Sequence, residues 1–161
     1  MALTSYMKVQ GKKSGQVKGD CQQSGDKKDT MMIYNVDHKL HIPRDTHTGL
    51  PTGQRVHEPF VVTKHIDNAS PKLNDMCAKG EHCDVTVDYY RIKEDGSEEK
   101  YYTIKLSDAI IVGDRHYKPM TFVSDNEPYH DMEEVSFTYS KITWTYHNGN
   151  IEATDDWKGG K

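Results

Sequence analysis

Apolar side chains recur at every second position through most of this chain, and only one segment follows a helical spacing. The alternation begins with Leu3, Ser5, Met7 and Val9. It resumes with Met32, Tyr34, Val36, Leu40 and Ile42 on one face and Asn35, Asp37, Lys39 and His41 on the other. Val85, Val87 and Tyr89 precede the turn sequence EDGS at 94–97, and Tyr102, Ile104 and Leu106 follow it. An Asp-Gly pair tolerates the positive φ of a tight turn, so this stretch predicts a β-hairpin. Near the C-terminus Val135, Phe137 and Tyr139 occupy odd positions, whereas Ile142, Trp144 and Tyr146 occupy even ones. That one-residue slip at Ser140 and Lys141 predicts a β-bulge or a change of face. HNGN at 147–150 reads as a two-residue hairpin turn, with Ile151 to Thr154 returning along the strand.

The exception is SPKLNDMCAKG at 70–80. Ser70 suits an N-cap, Pro71 the first helical position and Gly80 the C-terminal stop. Leu73, Met76 and Cys77 form an apolar stripe at spacings of three and four. The fold class expected is therefore mainly β, an antiparallel barrel or sandwich of two sheets with one short flanking helix over 70–80, in a single domain spanning 1–161. IPRDTHTGLPTG at 42–53 and the stretch 113–131 are too punctuated by Pro and Gly for regular structure. A loop as long as the first usually has a job.

Composition removes several function classes. The formal net charge of −4 over 161 residues argues against a nucleic-acid binder, which must neutralise phosphates. Three cysteines, Cys21, Cys77 and Cys83, cannot all pair within one chain, which suggests reduced thiols and synthesis in a reducing cytosol. The opening MALTSYMKVQ has no apolar signal-peptide core, and no stretch is apolar enough to span a bilayer, so membrane insertion is not expected. Export, if it occurs, proceeds without the usual secretory tag. Hydrophobic residues make up 34% of the chain and the mean hydropathy is −0.87. So polar a chain needs an economical core, or large residues placed where another subunit covers them.

Catalytic and metal signatures are sparse. His38 and His41 lie three apart, which in a strand sends them to opposite faces. Cys77, His82 and Cys83 lack a fourth ligand, and neither CxxC nor HExxH occurs. GxSxG, GxxxxGK[ST] and GxGxxG are also missing. Adjacent acid pairs such as Glu98-Glu99 and Glu133-Glu134 diverge in strands. No catalytic residue, metal or cofactor is expected.

The densest polar cluster is GQRVHEPFVVTKHID at 53–67. Alternation places Val56, Phe60, Val62 and Ile66 on one face and Arg55, His57, Thr63 and His65 on the other, with Glu58 and Lys64 interrupting the apolar side. Pro59 lacks an N–H, which predicts a sheet edge or a bulge. A polar edge rich in donors and acceptors suits a subunit contact. A merely solvated strand is the plainer alternative.

The stretch IPRDTHTGLPTGQRVHEPFVVTKHIDNASPKL at 42–73 strongly resembles the haemolysin-coregulated protein (Hcp) family, which forms the inner tube of the bacterial type VI secretion system. TGQRVHEPF, TKHID, the SPKL helix start, YRIKEDGSEEKYYTIKLSDAII and KITWTYHNGNIEATDDW carry the resemblance over nearly the whole chain, most weakly at 11–29 and 113–131. It implies a β-barrel with one flanking helix, a homohexameric ring, and rings stacked into a hollow tube driven out by a contractile sheath beneath a spike protein. Small effector proteins are carried or chaperoned in the lumen of such rings. The protein would start in the bacterial cytoplasm and end in the medium or a target cell. The loop holding Arg44, Asp45, Thr48, Leu50 and Thr52 resembles the family's extended loop, which reaches the neighbouring ring. With Arg55, His57, Glu58, Thr63 and His65 it makes the expected subunit and ring interface. Plain members are not enzymes; some relatives carry a C-terminal toxin, whereas this sequence stops at DDWKGGK. Two other readings are a sugar-binding β-barrel using Trp144, Trp157 and the tyrosines, and a metal-dependent hydrolase built on scattered histidines.

Overall fold

A computed structural model describes residues 3–157. Eleven strands and one α-helix follow in the order β1 (Ser5–Gly11), β2 (Gly15–Val17), β3 (Met31–Asp37), β4 (Leu40–His41), β5 (Val56–His57), β6 (Phe60–His65), α1 (Ser70–Lys79), β7 (His82–Ile92), β8 (Glu98–Tyr117), β9 (Met132–Thr138), β10 (Lys141–Tyr146) and β11 (Ile151–Asp156). Each recorded strand pairing is antiparallel. Nine strands form one sheet in the order β11-β10-β8-β7-β1-β3-β6-β9, with β2 on β1, and a second pairing of β8 with β9 closes it into a barrel. The second sheet is a two-stranded ribbon of β4 and β5. The expected antiparallel barrel with one helix therefore forms.

Closure depends on the length of β8. Its first half pairs with β7 on one side and β10 on the other, and its second half, Ile110 to Tyr117, takes β9. The inward faces bury Met7, Met31, Phe60, Val87, Leu106 and Phe137 almost completely. Burying that apolar surface is the main force holding the barrel shut.

Local signals explain the turns. The β7–β8 hairpin closes at Lys93–Ser97, where Gly96 has φ +85° and its N–H donates to the Lys93 carbonyl. The β10–β11 connection differs from the reading: Tyr146 pairs with Ile151, so His147–Asn150 form a longer loop than the two-residue turn, with Gly149 and Asn150 both at positive φ. The slip at Ser140 is real. Tyr139 and Ile142 both point inward although they are an odd number of residues apart, and the chain there leaves β9 and starts β10 along the same long β8.

Two phases invert. Met31 and Ile33, not Met32 and Tyr34, fill the core, because β3 and β6 pair Ile33 with Lys64 but Asn35 with Thr63, leaving Tyr34 as an extra residue. Beyond that bulge Val36 packs on the core, while Leu40 and Ile42 are exposed. On the helix, Ala69 rather than Ser70 takes the N-cap position and caps with no side chain. The Ser70 hydroxyl is occupied elsewhere, accepting from the Asp67 N–H and donating to Glu133. Gly80 ends α1 in the left-handed region, as expected, and Leu73 and Met76 are fully buried.

Candidate assembly surface

Between β3 and β6 the chain leaves the barrel and returns. Leu40 pairs with His57 and His41 with Val56, and further out Arg44 bridges Pro51. The tip is closed by its own backbone and by Asp45: its carboxylate accepts from the N–H groups of His47 and Thr48, and the Gly49 N–H donates to the Asp45 carbonyl. Those bonds hold the Asp45 carboxyl below the usual range. The stretch 42–53 is thus an ordered finger rather than a loose loop. With β4 and β5 at its base it exposes Leu40, Ile42, Leu50 and Val56, with Leu50 at 64%. A two-stranded ribbon bearing four uncovered aliphatic side chains is marginal alone in water, which calls for a covering surface.

The root of the finger is a buried polar chain. His57 Nδ1 and His38 Nε2 each lie 2.7 Å from the Tyr139 hydroxyl, and His57 Nε2 lies 2.6 Å from Asp155 Oδ2. One proton arrangement satisfies every atom: His38 donates to Tyr139, Tyr139 to His57, and His57 to Asp155. Burial, followed by the neighbouring His57, lowers the pKa of His38. Arg55 Nε donates to the same Asp155 oxygen at 2.6 Å, and this bond holds the carboxyl below its ordinary range. Trp157 stacks on His57 and donates through Nε1 to the Tyr139 carbonyl. The His57–Asp155 pair looks like half of a catalytic relay, but the His57 side chain is 1% exposed and Tyr139 equally closed, so no substrate reaches it. Trp157, stacked in the root, offers no open sugar platform.

The ten residues expected at the interface fall into three places. Arg44, Asp45, Thr48, Leu50 and Thr52 are on the finger, and all but the half-buried Asp45 are exposed. Arg55, His57 and Glu58 lie at its root, with His57 buried and Glu58 exposed beside His41. Thr63 and His65 belong to the barrel wall: Thr63 is buried, and His65 packs on Tyr34 and His130. The single polar face drawn from alternation is therefore corrected. Pro59 breaks the strand in two, so β5 joins the ribbon, while β6 lies between β3 and β9 and is no edge. Val56 turns outward and His57 inward, the reverse of the expectation.

Lys64 is also not a surface interruption. It points into one end of the barrel, where its ammonium donates to Glu133 and Asp67, each at 2.8 Å. Sequence reasoning missed this plug, and it missed Tyr139, Asp155 and Trp157 as the root's partners. Parity held the clue for Lys64, which shares its phase with Phe60 and Val62. The root partners, about a hundred residues away, left no local trace.

A family model described as "Type VI secretion system effector, Hcp" matches residues 6–146. The chain belongs to the Hcp family. It is 39% identical over 168 aligned residues to the major exported protein of Pseudomonas aeruginosa, covering 98% of this chain and 97% of that one. Among solved structures it resembles Hcp1 of E. coli EAEC 042 (TM-score 0.85, 30% identity, 97% and 99% of the two chains) and the secreted protein Hcp3 of Pseudomonas aeruginosa (TM-score 0.79, 33% identity, 97% and 99%). Hcp is a family of type VI secretion proteins and not a known enzyme family, and the exported relative indicates secretion.

Proposed function

We propose that this Hcp chain is a tube-forming component: a homohexameric ring whose copies stack into a hollow tube, pushed out by the sheath beneath the spike, with small effectors in its lumen. The observation that carries the reading is the apolar finger, which is rigidly rooted and lacks a cover in the single chain. A ring is a head-to-tail assembly that closes by rotation, so each subunit needs two different adhesive surfaces. The outer edge of β11, which among the described residues pairs with β10 alone and exposes Ile151 at 65%, supplies one of them. Stacking requires a third contact, and the finger fits it. In this reading the exposed members of the expected set, Arg44, Thr48, Leu50, Thr52 and Glu58, meet the neighbouring ring directly, while Arg55 and His57 act by holding the finger. Each contact is modest and gains from repetition around the ring. Export proceeds from the bacterial cytoplasm.

Light scattering of purified protein should give about six times the 18.5 kDa chain mass. Negative-stain images should show toroids and end-to-end stacks. Leu50→Asp should leave the ring mass intact and abolish the stacks. A lone chain at high concentration would overturn the reading, and normal stacks in Leu50→Asp would remove the finger from it.

A further inference from the structure

The polar plug at the barrel end contains a set of groups that secretion and assembly do not require. Asp114 and His116 lie two apart on β8 and so share its inward face, and His116 pairs directly with Glu133 across β9. One ligand atom from each of the three lies within 4.8 Å of the others. The Asp114 side chain is 2% exposed and Glu133 is fully buried, while His116 is 37% exposed and opens the cluster to solvent.

Three observations point to a cation. Neither oxygen of the buried Asp114 carboxyl accepts a hydrogen bond, and burial beside Glu133 disfavours its charged form; a buried carboxyl without a counter-charge is costly. His116 Nε2 lies 3.4 Å from Asp114 Oδ1 and 3.3 Å from Glu133 Oε1. A tetrahedral zinc with ligands at about 2.0–2.1 Å has ligand-to-ligand edges of about 3.3–3.4 Å, and the nitrogen already stands at that spacing from each of the two oxygens. Glu133, finally, divides its two oxygens. Oε2 is held by Lys64 and by the Ser70 hydroxyl, which leaves Oε1 turned toward His116. Such orienting contacts around a ligand are what metal sites use to fix their geometry. The side-chain amide of Asn74 on α1 lies 2.9 Å from the same His116 nitrogen, and with its two ends exchanged it presents an oxygen there.

We propose that Asp114, His116 and Glu133 bind one divalent transition-metal ion of the zinc type per chain, with the Asn74 amide oxygen or a water completing the shell. Two carboxylates and an imidazole suit zinc, manganese or cobalt(II) rather than calcium or copper(I). The ion ties β8, β9 and the first half of α1 together at the closed end of the barrel, so its role is to brace the fold.

The test uses the full chain, stripped with chelator and dialysed against zinc chloride. Wild type should retain one zinc per chain and melt higher with zinc than without, and cobalt(II) should give the intense visible band of a tetrahedral site. His116→Ala, at an open position, should weaken zinc binding about 100-fold or more. Asp114→Asn should abolish the zinc-dependent rise in melting temperature while leaving the metal-free protein at least as stable as wild type. His82→Ala, which alters an exposed histidine outside the cluster, should bind zinc normally. No zinc uptake by wild type would overturn the proposal. So would uptake that survives both His116→Ala and Asp114→Asn, or that falls equally with His82→Ala, since the ion would then be adventitious.

Discussion

Lys64→Met tests whether the plug holds the barrel end together. The Lys64 ammonium touches Glu133 Oε2 and Asp67 Oδ1 at 2.8 Å, the His65 carbonyl at 3.0 Å and the Ser70 hydroxyl at 3.3 Å, with its side chain 1% exposed. At an effective dielectric of about 20, each carboxylate contact at this distance has a gross attraction of roughly 6 kcal/mol. Most of that offsets the cost of taking the charges out of water. Removing only the cation leaves Glu133 buried without its counter-charge, which costs about 3–5 kcal/mol. For a chain of this size that lowers the melting temperature by roughly 6–20 °C. The double change Lys64→Met with Glu133→Gln should recover most of the loss, because Gln still accepts from Ser70 and carries no charge. Thermal and urea melts in chelator at one fixed protein concentration provide the four corners of the cycle. A loss under 1 kcal/mol for Lys64→Met, or no recovery in the double variant, would refute the buried pair as the element that holds the plug.

Three further outcomes follow from the same geometry. Tyr139→Phe removes the hydroxyl shared by His38 and His57 while keeping the ring, and should cost about 1–3 kcal/mol in a denaturant melt and increase hydrogen exchange in the finger. The pKa of Asp155 is lowered by Arg55 in the folded chain, so its stabilisation is fully present above the unfolded carboxylate value of about 3.9 and is lost as pH falls through the folded one. Melts taken from pH 5 downward should show that loss, and Asp155→Asn should flatten it. Gly80→Ala places a side chain at φ +64° and should cost about 1–2 kcal/mol, read from the thermal midpoint.

How much was legible from the sequence depended on whether the signal was local. The hairpin at 93–97, the stripe on α1 and the phase slip at Ser140 each involve residues within a few positions, and each formed. Alternation failed where a non-local event shifted it. The bulge at Tyr34 exists because β3 must meet β6 on one side and β1 on the other, and nothing near Tyr34 encodes that. Pro59 predicts a sheet edge or a bulge, whereas it stands at a break between a ribbon strand and a barrel strand, which looks the same in one dimension. Alternation puts Lys64 on the apolar face as an interruption, and its neutralising partner, Glu133, lies on a strand that begins far downstream. The family resemblance supplied the proposal that the finger reaches a neighbouring copy. Its rigid root, through His57, Tyr139 and Asp155, emerged only from the folded chain.

The double service of β8 sets a timetable for synthesis. The β7–β8 hairpin can zip as soon as it emerges, but the barrel cannot be sealed until β9 has left the ribosome and found both β6 and β8. β1, although it precedes the other strands, waits for β7 before gaining its main partner. The finger's anchor waits for Asp155 on β11. Nascent copies therefore carry open sheet margins until β9 is made, and whatever shields them must act before the barrel closes.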